Sequence, residues 1–100
     1  MKVKRANTFL ARFAGLMFRA SLSRDEGLLL SPCSSVHTSF MRFPIDVVFL
    51  DQDWRVVGIV EGLRPWRIAG GYAGSRHVLE LGVGKVKQLD LKLGDYLCPT

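Results

Sequence analysis

The chain has 100 residues, enough for one domain, and its hydrophobic fraction of 48% is typical of a globular protein and excludes a disordered one. Its net charge of +5 is uneven, because six basic residues precede the first acid, Asp25, whereas the rest of the chain carries eight basic and nine acidic side chains. Two cysteines, Cys33 and Cys98, are too few for a disulfide scaffold, and no run approaches the roughly 20 apolar residues that span a bilayer.

The N-terminus is basic and precedes the predicted globular part. We interpret residues 1–7 as a basic N-terminal arm and residues 8–98 as the single domain. The opening "MKVKRANTFLARFAGLMF" begins like an export signal, but Arg12 and Gly15 interrupt its apolar run and no cleavage motif follows. The sequence therefore predicts a cytoplasmic protein with no transmembrane segment and with free thiols.

Apolar periodicity predicts one helix near the N-terminus and several strands after it. Asn7 or Thr8 can cap a short helix whose apolar positions, from Phe9 to Met17, recur at helical spacing. Apolar or β-branched runs predict strands at 27–31, 45–51, 54–61 and 77–81, with "DQD" (51–53) as a hairpin turn. A helical turn is predicted within "GKVKQLDL" (84–91) and a closing segment of the sheet at "GDYLCP" (94–99). The fold class that follows is α+β.

The segment "GLRPWRIAGGYAG" (62–74) predicts a long connection, a kind of segment that often has a function. We expect it to fold over one end of the sheet, with Trp66 filling the core. Alternatively, Arg64, Trp66, Arg67 and Tyr72 supply the stacking and basic groups that bind nucleic acid or phosphate.

Five motifs, in this order and spacing, resemble the family called domain of unknown function 192. They are "GLMFR" (15–19), "DEGLLL" (25–30), "HTSFMRFPIDVVFLD" (37–51), "VLELGVG" (78–84) and "LGDYL" (93–97). The resemblance covers about residues 8–98 and implies a mostly antiparallel, barrel-like β-sheet with a short N-terminal helix packed on it. It also implies that Phe40, Met41 and Asp46 are signature positions of these small bacterial and archaeal domains, for which no activity is established.

The stretch "PCSSVHTSFMRFPID" (32–46) concentrates reactive side chains. His37, Thr38 and Arg42 have the donors that hold a carboxylate or phosphate. Two acids, Asp46 and Glu80, lie within apolar runs, where a carboxylate is costly to bury without a partner. We expect Asp46 to accept hydrogen bonds at a turn or strand entrance, and Glu80 to pair with an arginine or with backbone N–H groups. The candidate ligand-binding residues are Cys33, His37, Thr38, Arg42, Asp46 and Glu80.

Two chemical alternatives share Cys33 and His37. The spacing C-x3-H-x3-M places Cys33, His37 and Met41 on one face of a helix, as a soft metal ion would need. Serine, threonine and valine between them favour loop or strand instead, where the residues are too far apart, and Met41 is then expected in the core. A thiol and an imidazole, oriented by Asp46 or Glu80, also have the residue types of a hydrolase. Relatives often lack Cys33 and His37, so the resemblance implies neither chemistry.

These observations favour a non-enzymatic binding or accessory module for a small anionic ligand or a partner protein. We expect a monomer that needs no cofactor and has no resident metal. A thiol- or metal-dependent protein using Cys33 and His37 is the first alternative. Nucleic-acid binding through the basic N-terminus and the loop containing Arg64, Trp66 and Arg67 is the second.

Overall fold

The computed structural model describes residues 2–6, 26–38 and 41–97. The predicted N-terminal helix, Phe40 and Cys98 lie outside these ranges. The described part contains seven strands and one short helix, which we number in chain order. They are β1 (Lys2–Ala6), β2 (Glu26–Leu30), β3 (Ser35–His37), β4 (Ile45–Leu50), β5 (Val56–Leu63), β6 (Ile68–Gly70), β7 (His77–Gly82) and α1 (Lys85–Gln88).

Five strands form one sheet in the order β1-β2-β7-β4-β5, and β3 pairs with β6 in a second, two-stranded sheet. Strand β1 is parallel to β2, whereas all other pairs are antiparallel. The described residues therefore form a mostly antiparallel α+β domain with one short helix. In these residues β1 and β5 are separate edges of the sheet, so the predicted barrel-like closure is not confirmed.

The core lies on both faces of the central strands. All six residues of β4 and all six of β7 are buried, and except for Asp46, His77 and Glu80 they are apolar or glycine. One apolar cluster, which we call the β3-side cluster, contains Val47, Phe49 and Val78 together with Val36 of β3. The α1-side cluster on the opposite face contains Val48 and Leu79 together with Val86 of α1.

The strands predicted at 27–31, 45–51, 54–61 and 77–81 are confirmed as β2, β4, β5 and β7, and the hairpin between β4 and β5 is confirmed as well. The predicted helical turn is α1. Of the predicted closing segment, the described residues 94–97 form an isolated bridge between Arg55 and Tyr96 and backbone hydrogen bonds to Trp54 and Val56. Two strands of three residues each, β3 and β6, were not predicted, because a run that short carries too few positions to show alternation. Residues of the predicted basic arm form β1.

The prediction that Trp66 fills the core is wrong, since 59% of this residue is exposed. The aromatic residue that packs inward from this connection is Tyr72, whose ring centroid lies 4.7 Å from that of Phe49. Its ring occupies the space beside Gly58, where an added Cβ atom would approach ring atoms to 2.5 Å. Gly58 thus makes room for the side chain that closes this part of the core.

Candidate functional site

Asp46 is fully buried and its carboxylate binds only backbone N–H groups of described residues. One oxygen accepts from Gly62 (2.9 Å), and the other accepts from Gly84 and Val86 (3.0 Å each). These bonds tie β4 to the end of β5 and to the start of α1, where N–H groups have no partner within the helix. The expectation that Asp46 accepts hydrogen bonds near a strand entrance is confirmed.

Glu80 is also buried, with 5% of the residue exposed, but its surroundings are apolar. It lies in the central strand β7, opposite Leu28 on one side and Val47 on the other, both members of the β3-side cluster. No described residue forms a hydrogen bond or an ion pair with its carboxyl group. Burial therefore raises the pKa of Glu80 from its ordinary value of 4.5 to about 7. Among the described residues, the expected arginine or N–H partner is absent.

Thr38 joins two segments that the sequence separates by 26 residues or more. Its buried hydroxyl donates to the Arg64 carbonyl (2.6 Å) and accepts from the Arg67 N–H (2.8 Å). Its backbone N–H donates to the Arg67 carbonyl (2.8 Å), and its carbonyl accepts from the N–H groups of Met41 and Trp66 (3.1 Å each). Thr38 thus holds the end of β3 against the turn that precedes β6.

The bonds of Thr38 hold together two segments that both carry exposed side chains. His37 is directly opposite Ile68 across the β3–β6 pair, and Arg42 follows the turn closed by Thr38 and Met41. Ile68 is 82% exposed, which is unusual for a large apolar side chain in a strand. We call this region the Thr38 surface; its exposed side chains are those of His37, Arg42, Arg64, Trp66, Arg67 and Ile68.

The Thr38 surface is positively charged. Residues 35–38, 41–42 and 64–70 include three arginines and no acid, and the acid nearest to Arg64 along the chain, Glu61, forms no ion pair with it. The guanidinium of Arg67 donates only a long bond to the Trp66 carbonyl (3.3 Å). In the described residues, these arginines therefore have no carboxylate partner and are available to an anion from outside.

Cys33 and His37 have different environments. Cys33 is half-buried against the β3-side cluster and its thiol donates to the Ser35 carbonyl (3.0 Å), whereas His37 is exposed in an extended strand. Met41 is buried in the core, as predicted, and so lies away from the His37 ring. No group of three His, Cys, Asp or Glu side chains able to hold a metal ion occurs among the residues described.

Thr38 thus lies between His37 of β3 and the turn that leads to Arg42, whereas Asp46 binds N–H groups at the end of β5 and the start of α1. Asp46 faces α1, on the opposite face of the sheet from Glu80 and Cys33. The 64–67 turn, which the sequence suggested as a contact for nucleic acid or phosphate, is hydrogen-bonded to Thr38 and so belongs to the Thr38 surface. Sequence reasoning missed Ile68, because its position in a short strand gave no sign that its side chain would be exposed.

Comparison with known proteins identifies relatives of the whole domain. The family model DUF192, described as "Uncharacterized ACR", matches residues 1–98. A UPF0127 protein of Thermococcus sibiricus is 35% identical over 94% of this chain and 63% of its own length. A second UPF0127 protein, from Pyrococcus furiosus, is 34% identical over 97% of this chain and 85% of its own length. The chain therefore spans less than two thirds of the Thermococcus sibiricus relative.

Two solved structures share the fold. A protein of unknown function from Novosphingobium aromaticivorans is 27% identical, with a TM-score of 0.83 over 94% of this chain and 71% of its own. A protein of Sinorhizobium meliloti described as a putative transcription regulator is 28% identical, with a TM-score of 0.82 over 94% of this chain and 78% of its own. Among the described residues, no helix has the length and apolar character needed to cross a membrane.

Proposed function

Because this chain belongs to the domain of unknown function 192 family, whose name assigns no activity, we propose that it is a non-enzymatic binding module that recognises an anionic partner. The observation that carries the proposal is the Thr38 surface, where arginines that have no carboxylate partner among the described residues accompany exposed apolar side chains. In this proposal the module is a cytoplasmic monomer that meets its partner through this one surface.

A partner protein fits this surface better than a free small anion does. A small anion needs a few converging donors, whereas Trp66 and Ile68 expose apolar area that only a larger partner covers. Aromatic side chains and arginines are also the residue types enriched at the centres of protein interfaces. We therefore assign the partner to the class of proteins with an acidic surface segment.

The candidate residues have different roles in this proposal. His37 and Arg42 contact the partner together with Arg64 and Arg67. Thr38 is a positioning residue, because its hydroxyl fixes the backbone of both arginines of the turn. Cys33, Asp46 and Glu80 support the strands behind the surface, and no bond-breaking step is assigned to any of them.

Nucleic acid is the second candidate partner. The Sinorhizobium meliloti protein of similar fold is described as a putative transcription regulator. On this chain Trp66 offers a ring for stacking, and Arg64 and Arg67 offer contacts to phosphate. These contacts depend on the same surface, so one experiment can compare both partners.

The test is fluorescence anisotropy with a labelled octapeptide in which isoleucine and glutamate alternate, at low salt. We expect the wild-type chain to bind it and Arg64→Ala/Arg67→Ala to bind at least about ten-fold more weakly, the equivalent of about 1.4 kcal/mol. Lys87→Ala/Lys92→Ala is the matched control, since it removes the same charge from exposed positions on and after α1. The control should bind as the wild type does.

Two further probes decide between partner classes. Replacing glutamate by glutamine in the peptide should abolish binding if charge is recognised. Tighter binding of a single-stranded DNA oligonucleotide than of the peptide would replace the protein partner by nucleic acid. Equal binding of both peptides, or equal losses in the two double variants, would contradict recognition of an anion at the Thr38 surface.

A further inference from the structure

The free edge of β6 points to the way in which the partner docks. Strand β6 pairs only with β3 among the described strands, so one of its long edges lacks a neighbour there. An open edge presents N–H and C=O groups that a further strand can pair with. Which residues present these groups follows from the hydrogen bonds of the β3–β6 pair.

In an antiparallel pair, residues that exchange hydrogen bonds alternate with residues that do not. The register places His37 opposite Ile68, and hence Thr38 opposite Arg67, where the Thr38 N–H donates to the Arg67 carbonyl. The next hydrogen-bonded pair is two residues away, at Val36 and Ala69. The backbone groups of Ile68 and Gly70 therefore point away from β3.

The two edges of this small sheet are not equally free. On the β3 edge, the Ser35 carbonyl already accepts the thiol proton of Cys33. On the β6 edge, no described residue forms a hydrogen bond with the outward groups of Ile68 and Gly70. Natural proteins often protect such edges with charge or by covering them. Here the edge residue Ile68 is apolar and 82% exposed.

We propose that an extended segment of the partner protein adds to the free edge of β6 as a third strand. This inference rests on the proposed function, because it deepens the role of the same surface. Cross-strand neighbours determine the sequence that fits. An apolar residue of the segment lies beside Ile68, and of the acidic residues before and after it, one lies opposite Arg67 and the other opposite Ala69. The occupant is therefore a segment in which apolar and acidic residues alternate.

N-methylation of the peptide tests strand addition without changing the protein. In an added strand, alternate amides point toward β6 and toward solvent. We compare the octapeptide of alternating isoleucine and glutamate with one copy methylated at every isoleucine amide and another at every glutamate amide. One of the two methylated peptides should bind at least about ten-fold more weakly, and the other should bind as the parent does.

Hydrogen exchange of the protein gives a second readout. Binding of the parent peptide should slow exchange of the Ile68 and Gly70 amides, because strand addition pairs both. If both methylated peptides bind like the parent, or both lose binding, strand addition is overturned. The proposed function then still stands, provided that the parent peptide binds and Arg64→Ala/Arg67→Ala weakens it. Failure of the parent peptide to bind overturns both proposals.

Discussion

At the scale of single residues, two buried carboxyl groups are accommodated in different ways. Asp46 accepts three backbone N–H groups, which replace the water that its charge would otherwise need. Glu80 has no such partner among the described residues, and burial raises its pKa to about 7. Asp46 therefore stabilises the fold through its hydrogen bonds, whereas Glu80 is tolerated best when it is protonated.

The raised pKa makes Glu80 a source of pH-dependent stability. Well below pH 4.5 the group is protonated in the folded and the unfolded chain, so it adds no pH dependence there. As the pH rises toward 7, the unfolded chain releases the proton while the folded chain keeps it, which favours unfolding. Above pH 7 the folded chain has lost the full amount of stability, which is about 3 kcal/mol for a pKa raised from 4.5 to about 7.

Glu80→Gln should remove this loss, because a glutamine does not ionise. Urea unfolding at pH 5 and pH 8 measures the free energy of unfolding of both proteins. We expect the advantage of the variant over the wild type to be about 2 kcal/mol larger at pH 8 than at pH 5. Glu61→Gln, the same change at an exposed position of β5, is the control. An equal difference in the free energy of unfolding at both pH values would show that burial does not raise the pKa of Glu80.

The sequence predicted the hydrogen-bonded environment of Asp46 but not the apolar environment of Glu80. Asp46 follows Pro44 at the start of a strand, a position where a carboxylate commonly accepts nearby N–H groups. Its actual partners include Gly84 and Val86, which are distant in sequence and depend on the packing of α1. For Glu80 the run "VLELG" showed burial, but the neighbours Leu28 and Val47 come from other strands. The local sequence therefore could not show that Glu80 lacks a polar partner among the described residues.

At the scale of elements, Thr38 connects the small sheet to the turn that carries the arginines. The Thr38 hydroxyl takes the place of a backbone carbonyl at the end of β3. The Arg67 N–H therefore remains hydrogen-bonded at the point where the chain leaves this strand. This connection explains how two segments that were considered separately in the sequence form one surface. The long strands were predictable from their apolar and β-branched runs. The pairing of β3 with β6 was not, because it depends on contacts between residues about 30 positions apart.

Thr38→Val tests this connection, because valine keeps the shape of threonine and removes the hydroxyl. The Arg67 N–H and the Arg64 carbonyl then lose a buried partner, which costs about 1–3 kcal/mol. We expect a lower urea midpoint and weaker binding of the isoleucine–glutamate peptide. Thr38→Ser, which keeps the hydroxyl, should retain most of the binding. Peptide binding by Thr38→Val at wild-type strength would mean that Thr38 does not position the surface.

At the scale of the whole molecule, two arginines of the Thr38 surface and two acids of the hairpin turn lie at opposite ends of the β4–β5 hairpin. Arg42 and Arg64 lie beyond the paired residues Ile45 and Leu63 at the open end of the hairpin. The acids of its turn, Asp51 and Asp53, lie at the other end, about 17–20 Å away for strands of this length. This separation exceeds the Debye length of about 8 Å at physiological salt. The two ends therefore act as distinct surfaces, and under the proposed function an acidic partner is steered to the Thr38 surface.

The central claim is that this surface, and no other, binds an acidic segment. The most direct test is a two-dimensional ¹H–¹⁵N NMR titration of the wild-type chain with the isoleucine–glutamate octapeptide at low salt. We predict that the amide signals that shift belong to residues 36–38, 41–42 and 64–70, and that those of Lys85–Gln88 stay in place. Shifts centred on α1, or on the turn at 51–53, would contradict the account.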